Sequence, residues 1–145
     1  MLHRMILAAR SRIDLGDGPV QGDLGIFLAA CMQTAVEREL TGAMVWTGGH
    51  FLAVVEGRRD ALQAVFDTLL DDRRLDRLKS LEFLPLTRRR YHTWAMSACD
   101  EAGCETACRP LLEAGELGAA EACRQVEDCL QHGRLAESPP LVVAA

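Results

Sequence analysis

Leu40-Thr41-Gly42-Ala43-Met44-Val45-Trp46-Thr47-Gly48-Gly49-His50-Phe51-Leu52-Ala53-Val54-Val55-Glu56-Gly57 is the stretch that decides the fold. Thr41-Gly42 breaks the helical pattern before it. Residues 43–46 and 51–55 are apolar runs of strand length, and Gly48-Gly49 between them supplies the positive-φ positions of a tight hairpin turn. The stretch therefore predicts strand, turn, strand. Working outward toward the N-terminus, Asp23 can cap a helix in which Leu24, Phe27, Leu28, Cys31 and Ala35 follow at helical spacing. Residues 16–19, Gly-Asp-Gly-Pro, mark a loop before it. Residues 2–9 form a short apolar run consistent with a buried strand.

Toward the C-terminus, Asp60 opens a second amphipathic helix with Ala61, Leu62, Val65, Phe66, Leu69 and Leu70 on one face. Residues 78–86 alternate imperfectly, with Leu81, Phe83 and Pro85 on one side of a strand. Arg88-Arg89-Arg90 reads as a solvated turn, and residues 93–98 as a short last strand. The order β-α-β-β-α-β-β predicts a ferredoxin-like α+β sheet with both helices on one face. The rest of the chain reads as a two-helix extension. Residues 101–107 favour helix, and Pro110 starts a new turn. Residues 119–130 align Ala119, Ala122, Cys123, Val126 and Leu130, and Gly133 is a natural stop. These helices are expected to cover the face left bare by the first two. The domains expected are 2–98, a helical extension 99–133 and a tail 134–145, in which Ser138-Pro139-Pro140 precedes an apolar tip.

The chain has 145 residues, 49% hydrophobic and 26% charged, which suits one globular domain. A formal net charge of -5 argues against general nucleic-acid binding. Residues 1–97 hold 13 Arg and Lys against 12 Asp and Glu, whereas residues 98–145 hold 3 against 9, so the charge balance changes after the last strand. No apolar run approaches the ~20 residues of a membrane span, and the N-terminus lacks a signal-peptide layout, so a cytoplasmic protein is expected. Six cysteines are then expected as free thiols. Cys104 and Cys108 have a spacing compatible with one metal, and Cys99, Cys123, Cys129 and His132 are possible companions. There is no C-x-x-C, however, and Cys123 and Cys129 fall on differing helix faces, so buried structural thiols and no metal are expected. Glu56, Asp60, Asp71 and Asp72 read as caps and solvated loop charges. Neither His92 nor His132 has the companions of a nucleophile, and no phosphate-binding glycine motif occurs, so no enzyme is expected.

The central stretch, with its Leu-Thr-Gly and its Phe-Leu…Glu-Gly, resembles the BLUF family of flavin-binding blue-light sensors. Asp71-Asp72-Arg73-Arg74 falls where that family has Asp-Pro-Arg-His, with Arg73 and Leu75 in place of the Pro and the His. Trp94-Ala95-Met96 falls at its Trp-Ser-Met, and Leu2-His3-Arg4-Met5-Ile6 fits its first strand. The resemblance covers about residues 2–98, and the tail is similar to the extension of short BLUF proteins. It implies FAD between the two helices, with Phe27, Leu69, Asp72, Arg74, Trp94 and Met96 at flavin-site positions. It also implies a Tyr and a Gln around the ring and an Asn at its carbonyl edge. Those three positions hold Leu7, Ala53 and Ala35. Light-driven transfer needs an oxidisable phenol and a switching amide, and the chain's single tyrosine is Tyr91.

Three readings follow. The first is a BLUF-like regulatory module that acts by protein–protein contact, is not photoactive, and binds flavin weakly or not at all. The second is a functional FAD photoreceptor that uses other residues. The third is a thiol redox or metal sensor based on the tail cysteines. No cofactor is expected under the first, and FAD if any. The expected partners are a second copy of the chain and an unidentified signalling protein, with no nucleic acid and no membrane.

Overall fold

The computed structural model describes residues 1–11, 22–47, 50–99 and 117–132. The 16–19 loop, the Gly48-Gly49 turn, the 101–107 helix, Cys104, Cys108, Gly133 and the apolar tip lie outside the described residues.

Three apolar runs form the middle of one sheet: β1 (Leu2–Ser11), β2 (Thr41–Thr47) and β3 (His50–Arg58). Two edge strands flank them, β4 (Leu75–Pro85) and β5 (Trp94–Cys99), in the order β4-β1-β3-β2-β5. The β1–β3, β1–β4 and β2–β3 pairs are antiparallel, while β5 lies parallel to β2. The middle strands are apolar at successive positions because both faces of the sheet are covered. Met5, Leu7, Ala9, Met44, Trp46, Phe51, Ala53, Val55 and Trp94 enter a core shared with α1 (Gly22–Glu37) and α2 (Arg59–Leu70). The alternate residues Ile6, Ala8, Ala43, Val45, Leu52 and Val54 enter a second core with Leu117, Ala122, Val126 and Cys129. The last three belong to α3 (Ala119–His132). The fold is the expected ferredoxin-like α+β sheet with α1 and α2 on one face, and α3 covers the other.

Two sequence readings of β4 need correction. The strand begins at Leu75, earlier than expected. Leu81 and Phe83 lie on opposite faces, Leu81 against the α3 core and Phe83 against the α1–α2 core. The cause is an extra residue: Ile6 pairs with Glu82 but Leu7 pairs with Ser80, so Leu81 has no opposite number and the alternation slips. A second slip opposes Arg77 and Leu78 to Ala9, and Arg77 takes φ 54° there. Bulges and charged side chains on an edge strand discourage further strand pairing.

The Thr-Gly and Glu-Gly pairs act structurally. Gly42 has φ +134°, and a Cβ there would sit 1.9 Å from the Val54 carbonyl oxygen. A Cβ on Gly57 would meet Leu40 Cδ2 at 2.6 Å. Glu56 was expected to be solvated, but it is fully buried. Its carboxylate accepts hydrogen bonds from Thr41 Oγ1 (2.9 Å), the Arg90 backbone N–H (2.8 Å) and the Tyr91 backbone N–H (3.0 Å). The arginine run is likewise not a free turn. Arg89 donates to Thr41 Oγ1, the Glu56 carbonyl and the Glu39 carbonyl, and Arg90 pairs with Glu127 of α3 at 2.9 Å. The buried carboxylate needs these partners, and they fix the connection into β5.

Candidate functional site

A cavity of about 140 Å³ lies between the sheet and the two helices of the first core. The spacing of α1 brings Phe27, Ala30, Cys31 and Thr34 to it, and α2 brings Val65, Thr68 and Leu69. The sheet supplies Leu7, Met44, Val55 and Trp94. Leu40 and the pair Asp72 and Arg74 complete the lining. Five of the flavin-site positions read from the sequence thus meet here: Phe27, Leu69, Asp72, Arg74 and Trp94. Met96 packs against the same core without lining the cavity. Leu7 lines it, whereas Ala35 and Ala53 are buried in the core around it.

Register places several of these residues in one row. Leu7 is opposite Ala53, Ala53 opposite Met44, and Met44 opposite Met96. The positions expected to hold the phenol and the switching amide are therefore cross-strand neighbours. They carry an isobutyl group and a methyl group.

The polar groups of the cavity are few. Asp72 and Arg74 bind each other through the Arg74 backbone N–H, Nε and Nη2, each at 2.9 Å. The hydrogen bond from the Arg74 side chain, reinforced by the backbone bond and the charge, holds the Asp72 carboxyl below its usual range against the opposing effect of burial. The Arg74 guanidinium lies 4.9 Å from the centre of the Phe27 ring. Burial pushes the Cys31 thiol up to about 12, so it stays protonated at neutral pH. Trp94 is 7% exposed, and its buried Nε1–H has no hydrogen-bond partner among the described residues.

Tyr91 lies elsewhere. It is buried in the core on the α3 side of the sheet, and burial, with Glu127 and Cys123 nearby, pushes its phenol up to about 12. The cysteines divide similarly: Cys31 lines the cavity, while Cys123 and Cys129 both pack into the α3 core despite their spacing. No cluster of three metal-ligating side chains occurs among the described residues. No helix there is long and apolar enough to cross a membrane.

Sequence reading missed Cys31, Thr34, Thr68 and Met44 as cavity residues. Helical spacing from Phe27 and Leu69 was the available signal, because residues three and four apart on a helix share a face.

The chain is thus a small two-sided α+β sheet domain with a cavity under a helix pair, and Trp94, Asp72 and Arg74 line that cavity. The chain belongs to the BLUF family, sensors of blue-light using FAD, whose profile matches residues 8–97. The BLUF domain is a sensor module and not a catalytic one. The dark-state structure of BlrB, a BLUF protein, is 25% identical, with 86% of this chain and 90% of that one covered and a TM-score of 0.60. The photo-activated state of BlsA is 15% identical over 89% of this chain and 94% of that one, with a TM-score of 0.65. Klebsiella pneumoniae BlrP1 with FMN and cyclic diGMP is 24% identical over 66% of this chain, with a TM-score of 0.56. This chain spans only 25% of that BlrP1 chain. No curated protein matches.

The residues present do not fit a flavin held in the manner the family resemblance implies. The positions to which the resemblance assigns the ring's Tyr, Gln and Asn hold Leu7, Ala53 and Ala35, which have no side-chain donor or acceptor. The cavity is also smaller than the roughly 300–1,000 Å³ of ordinary ligand pockets.

Proposed function

We propose that this protein is a BLUF-family regulatory module that no longer senses blue light and acts through protein–protein contact. One observation carries the reading. The facing positions on β1 and β3 are Leu7 and Ala53, and the only tyrosine is buried against the opposite face of the sheet. A photocycle needs an oxidisable phenol against the flavin and an amide that can exchange hydrogen bonds. Tyr91 is separated from the cavity by the sheet itself.

Flavin affinity falls for a related reason. Each buried polar group left without a partner costs roughly 1–3 kcal/mol. Losing two such partners, at Ala35 and Ala53, costs about 2–6 kcal/mol, or roughly 30-fold to 10⁴-fold in affinity. Equilibrium dialysis against FAD and FMN is the test. Retention of neither flavin at micromolar concentration is expected. A stoichiometric yellow complex would overturn the reading in favour of a photoreceptor using other residues.

The contact surface is supported by α1. Ile26 is 63% exposed and Val36 71% exposed, and Ala29 and Gln33 between them are exposed at the spacing of a helix-packing seam. Apolar side chains arrayed in this way are more common at interfaces than on monomer surfaces. The occupant is a second copy of the chain, giving a dimer, and a signalling protein is the further partner.

A further inference from the structure

We propose that the groove between the start of α2 and the adjoining ends of β1 and β4 binds a small organic monoanion with an aromatic body, which sets its anionic group against Arg59 and donates a hydrogen bond to His3 Nε2. The groove shares no lining residue with the cavity under α1 and α2, so the proposal stands apart from the flavin reading.

The groove follows from register and helical spacing. Phe83 is opposite Met5, and His3, two residues before Met5, shares that face of the sheet. The His3 and Phe83 rings meet edge to face with centroids 5.5 Å apart, and both line the groove. Arg59, Asp60 and Gln63 reach it from the first turns of α2. The Met1 carbonyl accepts both the Arg59 backbone N–H and the His3 Nδ1–H at 3.3 Å, which ties the start of α2 to β1. The space measures about 800 Å³, within the roughly 300–1,000 Å³ of ordinary ligand pockets. A pair of rings along the sheet favours an aromatic body over an aliphatic one.

Charge selects the sign of the ligand. Arg58 and Asp60 pair at 2.6 Å, and Asp60 also accepts the Ala61 backbone N–H at 3.0 Å. The Arg59 guanidinium has no ion pair or hydrogen bond among the described residues. One positive charge is left over, at the end of the helix whose dipole also favours an anion. A single negative charge matches it, whereas a second would stand uncompensated beside Asp60.

His3 selects the polar group. It is 8% exposed, and its Nδ1–H is spent on the Met1 carbonyl, so Nε2 carries a lone pair. Nε2 has no partner among the described residues and is not sealed from solvent. A ligand hydroxyl or N–H supplies the donor it lacks.

The test titrates the full chain, labelled with nitrogen-15, at neutral pH with three probes: 6-hydroxy-2-naphthoate, 2-naphthoate without the hydroxyl, and 2-naphthol without the carboxylate. The first is expected to bind saturably, to move the amide signals of residues 59–63, and to bind about threefold or more tightly than 2-naphthoate. Arg59→Gln should weaken both carboxylates about threefold or more and leave 2-naphthol unchanged. His3→Phe keeps a ring and should abolish the advantage of the hydroxyl. No saturable binding of 6-hydroxy-2-naphthoate, or shifts confined to the exposed seam of α1, overturns the proposal without any variant. Equal affinity of the two carboxylates for the parent, or equal weakening of all three probes by Arg59→Gln, overturns it as well.

Discussion

Ala53 and Glu56 stand three residues apart on β3 and serve different ends. Glu56 is fully buried and accepts three hydrogen bonds, two of them from the backbone of the connection into β5. Gly42 and Gly57 allow β2, β3 and Leu40 to approach where no Cβ fits. Those residues build the fold. Ala53, Leu7 and Ala35 fill positions that the family resemblance gives to flavin chemistry, and there only bulk remains. Glu56→Ala should therefore be severe. It leaves the Arg90 and Tyr91 N–H groups and the Thr41 hydroxyl without their acceptor, for a loss of about 3 kcal/mol or more. Urea unfolding measures this directly, and an unfolding free energy within about 0.5 kcal/mol of the parent's would show that the carboxylate is not needed. Sequence alone gave no sign of this role, since the two backbone donors lie 34 and 35 residues away and nothing local distinguishes Glu56 from a solvated strand-end charge.

Among the elements, those with strong periodicity were legible and those shaped by pairing were not. The apolar runs of β1, β2 and β3 and the facial stripes of α2 and α3 follow from local pattern, because burial on two faces or one leaves a direct imprint on residue order. The two slips in β4 depend on its register against β1, which a single strand does not encode, so the alternation put Leu81 on the same side as Phe83 when the two lie on opposite faces. Cys123 and Cys129 were separated by helical angle, yet a wide apolar face lets both reach the sheet. The cavity was legible through Phe27, Leu69, Asp72, Arg74 and Trp94. Its small volume and the orphaned indole N–H were not, since both arise from packing across two helices and four strands. The docking of α3 makes its own prediction. Val126 is fully buried in the α3 core, so Val126→Asp places an unpaired charge there and should lift the helix from the sheet. Cys129, fully buried beside it, would then react with iodoacetamide near the rate of the denatured chain. Slow alkylation in both proteins would contradict the packing described.

For the whole molecule, the account has two consequences. The exposed seam on α1 predicts a dimer, which light scattering at micromolar concentration checks against the 15.9 kDa monomer. Val36→Glu should shift the mass toward one chain by placing like charges across the seam, and a parent protein that already scatters as a monomer would refute the interface. The second consequence is the central one: the chain has the fold of a blue-light sensor, and the proposal made above is that its switch is gone. The most direct measurement is a light-minus-dark absorbance spectrum recorded with excess FAD under blue illumination, on the parent chain and on Leu7→Tyr/Ala35→Asn/Ala53→Gln side by side. The parent should show no reversible change beyond that of free FAD, and the variant should show greater flavin retention. A red-shifted flavin band in the parent that forms in light and recovers in darkness would contradict the account.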